Sequence, residues 1–304
     1  MRRIAALLAV PLLVASAAAC GGDDSSNSSS SGKSGGIPAV TGEPGKKPKV
    51  AKGEGDPPKE LKVKVLHKGT GPALKKGEVL NSHYLGQTWD GKVFDNSYDR
   101  GKPITFEVGT GKVIKGWDEG LVGQNIGSRV ELVIPPDKGY GAQAQQNIPA
   151  NSTLVFVVDL KNAYSTKPTG KAVPQTDANL PKVGANTDGT APKVTVPKGR
   201  KAPTDIVSKT IIQGDGKAVG EKDTVLANYE AVLWKNGKSG GDTWSQSGPQ
   251  AVPVAQLPGW KEGLKGQKVG SRVLIVVPQG KLPKEQQKQV GSDVIFVVDV
   301  LGVV

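Results

Sequence analysis

The sequence predicts an α+β architecture built twice: two domains, 59–165 and 204–304, each an antiparallel β-sheet wrapped around one short α-helix, joined by a disordered linker. Three observations predict it. Runs of β-branched and aromatic residues recur between clusters of Gly, Pro, Asn and Asp, which is the pattern of short antiparallel strands. Each segment holds one short, glycine-bounded stretch of helical character. The second segment also repeats the landmarks of the first in the same order.

In the first segment, residues 61–68, 79–89, 104–108, 129–134 and 153–163 read as strands. Asp90-Gly91, directly after Trp89, reads as a tight turn, because glycine accepts the positive φ that such turns need. Residues 115–124 supply the single helix. In the second segment, Tyr229 to Trp234 keeps the spacing of Tyr84 to Trp89. Gly259-Trp260-Lys261-Glu262-Gly263-Leu264 echoes Gly116-Trp117-Asp118-Glu119-Gly120-Leu121, and Gly-Ser-Arg-Val follows at Gly127 and at Gly270. Val294-Ile295-Phe296-Val297-Val298-Asp299 matches Leu154-Val155-Phe156-Val157-Val158-Asp159. The chain reads as a tandem duplication.

The N-terminus reads as an export signal: Arg2 and Arg3, an apolar stretch over 4–14, then small residues up to Ala19. That stretch is too short for a membrane span, which needs about 20 apolar residues. Ala17-Ala18-Ala19-Cys20 resembles a bacterial lipobox, although Ala17 stands where leucine is commoner. The resemblance implies a signal peptide over 1–19 and a lipidated Cys20, hence a membrane anchor on the extracytoplasmic side of the cell membrane. Residues 20–58, rich in Ser, Gly, Pro and Lys, read as a disordered tether, and 166–203, with six prolines, as a disordered linker.

Cys20 is the only cysteine, so no disulfide is available, and with two histidines in the chain no metal site is expected. His67 and His83 read as solvent-facing strand residues. The net charge of +12 is dispersed: residues 57–165 carry +3, residues 203–304 carry +2, and the rest lies in tail and linker. Such a spread argues against a nucleic-acid interface, which gathers charge on one face. No cofactor is expected, and the chain is expected to be a monomer.

The residues that carry chemistry stand in order across the first segment: Tyr84, Phe94-Asp95, Arg100, Val113-Ile114, Trp117, Tyr140-Gly141 and Phe156. Together they describe an apolar cup lined by aromatics with few polar groups. Their order and spacing resemble the FKBP-type peptidyl-prolyl cis-trans isomerases. The resemblance implies a fold of FKBP type in both segments and rotation about X–Pro bonds as the reaction. It makes Trp117 the floor of the cup, with Tyr84, Phe94, Phe106, Val113, Ile114 and Phe156 as walls. Tyr140 and the Ile114 amide would donate to substrate carbonyls. Asp95 would face the substrate amide, oriented with Tyr84 by Arg100, and residues 140–148, ending at Ile148, would form a flap. The implied partners are prolyl-containing polypeptides and macrolide inhibitors such as rapamycin or tacrolimus. Ile104 stands where many members carry an aromatic, and the flap lacks the usual histidine.

The chemistry suits such a cup. Rotation about the amide crosses a barrier of about 18–20 kcal/mol without breaking a bond. A 10⁴-fold acceleration needs roughly 5.4 kcal/mol of transition-state stabilisation. The twisted amide is less polar than the planar one, so a water-poor site favours it.

In the second segment Tyr229, Trp244, Leu257, Trp260 and Phe296 read as a related cup stripped of its polar complement. Trp244 is matched to Phe94, which puts Ser245 in place of the acid, and no tyrosine stands in the flap. This half is expected to fold alike and to isomerise weakly or not at all. The competing reading for the whole chain is a non-catalytic chaperone or partner-binding lipoprotein.

Overall fold

The computed structural model describes residues 36–304, so the predicted signal peptide and Cys20 lie outside the described residues. The first domain runs β1 (Lys62–His67), β2 (Val79–Thr88), β3 (Val93–Asn96), β4 (Ile104–Glu107), α1 (Lys115–Leu121), β5 (Arg129–Ile134) and β6 (Leu154–Tyr164). Its antiparallel sheet has the order β1-β5-β6-β2-β3, with β4 pairing the start of β2. The second domain runs β7 (Val207–Gln213), β8 (Thr224–Leu233), β9 (Ser239–Asp242), β10 (Gln250–Pro253), α2 (Trp260–Leu264), β11 (Arg272–Val277), α3 (Lys284–Val290) and β12 (Val294–Val303). Its strand order, β9-β8-β12-β11-β7 with β10 beside β8, is the same. Two antiparallel sheets with few helices are present, as the sequence predicts. The second domain departs from the one-helix expectation by adding α3.

A helix as short as α1 does not persist alone in water, so it depends on docking to the sheet. Glycine makes the docking close. A Cβ on Gly116 would meet Ile134 at 2.5 Å, and one on Gly120 would meet Leu132 at 2.6 Å. The inward side chains of β6, Leu154, Phe156, Val158 and Leu160, join Trp117 and Leu121 in one buried cluster.

The disordered reading of the tether and linker does not hold for the described residues. Val40–Thr41 pairs with Lys49–Val50, and Lys182–Val183 pairs with Val194–Thr195, so each domain is preceded by a small hairpin arm. Lys171–Ala172 also adds to the edge of β7. The arms are homologous parts of the duplication: Pro38 and Pro48 are buried in one, Pro181 and Pro192 in the other. Arg129 donates to the Gly42 carbonyl at 2.8 Å, and Arg272 to that of Gly184 at 2.8 Å. The indole N–H of Trp89 donates to the Gly55 carbonyl at 3.1 Å, and that of Trp234 to the Arg200 carbonyl at 3.2 Å. Each arginine is itself held by a buried aspartate, Asp159 at 2.7 Å and Asp299 at 2.6 Å.

The arms explain why the long strands are apolar on both faces. In the second domain Ile295 and Val297 of β12 pack away from the helix, with Leu180 and Val183 of the arm segment. A sheet covered on both sides needs a continuous apolar run. Among the described residues no helix is long and apolar enough to cross a membrane. Nor do three or more His, Cys, Asp or Glu side chains gather to hold a metal ion.

Candidate active site

The cup lies on the helix side of the first sheet, where β2, β3, β6 and the start of α1 converge. The loop before α1 is fixed by the helix: the Asp118 carboxylate accepts from the Gly109 N–H at 2.6 Å and the Gly111 N–H at 2.7 Å. Both glycines have φ near +80°, a region other residues rarely adopt. This sets Val113 and Ile114 at the helix entrance. Ile114 is the N-cap, so the helix ladder does not use its N–H.

Trp117 is 5 % exposed at the base of the cup. Tyr84 and Phe156 meet its ring edge-on, with centroids 5.5 and 5.0 Å away. Phe94 stands edge-on to Phe156 at 5.5 Å. Together they enclose a cavity of about 670 Å³, open to solvent, with the flap along one side. In that flap Gln145 and Ile148 bond to each other through their backbones at 2.9 and 3.1 Å, and Ile148 turns inward to be buried.

One corner is polar. The Tyr84 hydroxyl donates to Asp95, and Arg100 donates to the other carboxylate oxygen of Asp95 and, at 3.0 Å, to the Tyr84 hydroxyl. Burial alone would raise the Asp95 pKa, but the hydrogen bonds from Tyr84 and Arg100 outweigh it and hold the carboxyl below its ordinary range. The Tyr84 hydroxyl moves the other way, raised by burial and by its bond to Asp95. Tyr140, 37 % exposed at the rim, is raised by burial and by the nearby Asp95 charge.

Nine of the eleven first-domain residues expected at the site line this cavity. The other two act from behind it. Phe106 packs on Trp117 with centroids 4.9 Å apart, and Arg100 holds the polar corner from outside. Ile104 lines the wall, while Gly111 and Lys112 are lining residues that sequence reasoning missed. Their signal was adjacency to Val113 on a glycine-rich loop. His83 is half-buried rather than solvent-facing: it stacks on Tyr98 at 4.8 Å and hydrogen-bonds Ser97 at 2.9 Å.

The second domain requires a correction. The Tyr84 N–H donates to the Ser97 hydroxyl at 2.9 Å, and the Tyr229 N–H donates to that of Thr243 at 3.0 Å. Gly86 faces Asp95 in the first sheet, and Ala231 faces Gly241 in the second. Trp244 therefore corresponds to Tyr98, not to Phe94, and Gly240 and Gly241 occupy the wall and acid positions. Trp260 is fully buried, in one cluster with Leu282, Phe296, Tyr229, Leu257 and Val290.

A family model for the FKBP-type peptidyl-prolyl cis-trans isomerase matches residues 71–161 and 216–301, more than half of the chain. The chain belongs to that family. The FKBP-type isomerase of this chain is 48% identical over 102 residues to FK506-binding protein 1A of Neurospora crassa, covering 33% of this chain and 85% of that one. It is 40% identical over 117 residues to the FK506-binding protein of Streptomyces anulatus, covering 38% of this chain and 94% of the relative. The solved structure of FkpA from Escherichia coli is 45% identical, covers 34% of this chain and 47% of that one, and superposes with a TM-score of 0.32.

Proposed function

We propose that the first domain carries the isomerase activity and that the aromatic cup is its active site. The observation that carries this reading is the cavity floored by Trp117 and walled by Tyr84, Phe94 and Phe156, with Asp95 and Tyr140 among the polar groups that line it. A prolyl ring lies on the indole, and the cup keeps water from the amide as it twists. The less polar twisted amide is favoured there over the planar one. The Tyr140 hydroxyl and the Ile114 N–H hold substrate carbonyls on either side of the bond. Asp95, ionised and oriented by Tyr84 and Arg100, faces the substrate amide. The flap, with Ile148 as its anchor, filters the residue before proline. The same cup suits macrolides of the FK506 class, after which the relatives are named.

The second domain contributes little turnover, because two glycines replace its wall and acid and its tryptophan is enclosed. The substrates are prolyl segments of exported polypeptides. Lipidation at Cys20 tethers the protein to the outer side of the cell membrane. Palmitate labelling that is lost in Cys20→Ser checks the anchor.

The test of the site is NMR exchange on a short X–Pro peptide with the full chain, Tyr140→Phe and Trp117→Leu. Exchange that is fast in the parent and slowed at least about tenfold in both variants supports the cup, a loss of about 1.4 kcal/mol each. A chain that keeps full turnover without the Trp117 ring has its active site elsewhere.

A further inference from the structure

The two repeats differ systematically where they meet. At paired positions on the long strands, the first repeat carries Asn81 and Asn162, and the second carries Leu226 and Gly302. Next to these, exposed Lys161 in the first is replaced by Leu301 in the second. Three polar positions have become apolar or small on one repeat only. Leu226 and Leu301 are buried, 0 and 3 % exposed, in a cluster with Val79 and Tyr164 of the first domain. Gly302 lies under the Tyr164 ring so closely that a Cβ there would stand 2.3 Å from it. The Tyr164 hydroxyl donates to the Val303 carbonyl at 2.9 Å, and Asn228 donates to the Thr166 carbonyl at 3.2 Å.

This docking has a consequence at the cup. The turn between β9 and β10, closed by the Gly248 N–H bonding to the Thr243 carbonyl at 2.8 Å, reaches the first domain. A Cβ on Gly248 would stand 3.1 Å from the Lys112 ammonium. Lys112 lines the cup and is held at 2.6 Å by Glu107. A cavity of this size accommodates a prolyl residue and its immediate neighbours, so a longer chain must leave it across the rim.

We propose that the second domain is a fixed accessory to the first, docked through Leu226, Leu301 and Gly302. Its 243–250 turn extends the cup's rim and binds unfolded polypeptide flanking the prolyl bond. This inference rests on the first domain being the catalytic one. It assigns the second domain a role in substrate length selection rather than in chemistry. The apolar substitutions sit where only docking uses them, and the enclosed Trp260 leaves the outer turn as the domain's contribution.

The experiment restores the first repeat's residues in the full chain: Leu226→Asn, Leu301→Lys and Gly302→Asn together. Two substrates are compared, a prolyl tetrapeptide and an unfolded protein whose refolding waits on a prolyl bond, with small-angle scattering as a readout of docking. The expected result is unchanged tetrapeptide turnover, a fall of at least about threefold in kcat/KM on the long substrate, and scattering that changes from one compact body to two. Unchanged turnover of the long substrate in a variant with parted domains overturns the proposal. So does wild-type scattering that already shows two independent bodies. A measurement without variants guards against misfolding: a long prolyl chain spin-labelled a few residues from its proline should bleach the amides of 245–248 as well as those of 145–147. Bleaching confined to the first domain overturns the proposal. Absence of tetrapeptide turnover by the wild type would instead overturn the assignment of the cup itself.

Discussion

Leu274 of the second domain holds the sheet position that Glu131 holds in the first, each opposite a lysine of the neighbouring strand, Lys209 or Lys64. Both side chains are buried, yet Glu131 is a carboxyl whose oxygens have no hydrogen-bond partner among the described residues. Burial pushes it up to about 7, with the Lys64 charge working against the shift. The folded state therefore prefers the protonated form more than the unfolded chain does. Glu131's own contribution to stability should be greatest below the ordinary glutamate range of about 4.5, fall as pH rises from there to about 7, and level off above. Glu131→Leu, which copies the second repeat, should remove that slope and stabilise the first domain by about 1–3 kcal/mol at pH 8. Urea midpoints of parent and variant at pH 5 and pH 8 check it, and equal slopes would show that Glu131 is not the source.

Catalysis should behave differently with pH. Asp95 is held below the ordinary carboxylate range, so it is ionised and stays so until the solution is more acid than that range. Tyr84 and Tyr140 are both raised, so they keep their protons through and beyond neutrality. Neither Asp95 nor the two tyrosines then changes charge between about pH 5 and pH 8, and kcat/KM should be flat there. Asp95→Asn should lower activity without creating a slope in this window. A bell-shaped profile within it would mean that some other group controls turnover.

Gly86 shows how closely the cup is built. A Cβ there would meet Phe156 at 2.6 Å and Phe94 at 2.7 Å. The second domain carries Ala231 at this position, and the aromatic across from it has become Gly240. The two changes compensate each other sterically. Gly86→Ala alone should displace both rings, costing about 1–3 kcal/mol of stability and reducing kcat/KM. Adding Phe94→Gly should relieve the clash with that ring but restore neither activity nor full stability, because the packing of Phe94 on the core is lost with it. Thermal unfolding and peptide exchange, run on both variants, separate the two effects.

The fold and the first cup were legible because their signals are local. Gly116-Trp117, Gly120-Leu121 and Gly127-Ser128-Arg129-Val130 sit at fixed spacings, and each recurs in the second repeat. The register of Trp244 was misread because aromatic character was matched rather than hydrogen bonding. Asn96-Ser97-Tyr98 and Asp242-Thr243-Trp244 share a polar, hydroxyl, aromatic order that aligns them, since the hydroxyl anchors the neighbouring strand. The arms were misread for a different reason. Pro, Gly and Lys have no apolar period, and what orders them is remote in sequence: Arg129, Trp89 and the outer face of the sheet. The signal was nevertheless present. Leu154-Val155-Phe156-Val157-Val158 is apolar at successive positions, which a sheet open to water on one side does not require.

The first arm offers the last test. The Trp89 ring covers Gly53 so tightly that a Cβ would stand 2.0 Å from it, and the same ring bonds Gly55. Arg129 bonds two arm carbonyls, Gly42 at 2.8 Å and Lys46 at 2.6 Å, while Asp159 holds the guanidinium and also accepts from the Gly45 N–H at 2.8 Å. These contacts must offset the cost of ordering the arm, roughly 1–2 kcal/mol per residue. Trp89→Ala should therefore release residues 39–56 to hydrogen exchange and proteolysis while leaving peptide turnover in place, because the ring does not line the cup. Asp159→Ala should do more. It strands a buried guanidinium, which costs about 3–5 kcal/mol, so the domain itself should lose stability along with the arm. If Trp89→Ala left the arm as protected as in the parent, its anchors would be the arginine–aspartate pair together with the Gln87 side chain on the Ala51 carbonyl at 2.8 Å and the backbone bond from Gly53 to the Trp89 carbonyl at 2.7 Å, and Asp159→Ala would release only the part that Arg129 holds.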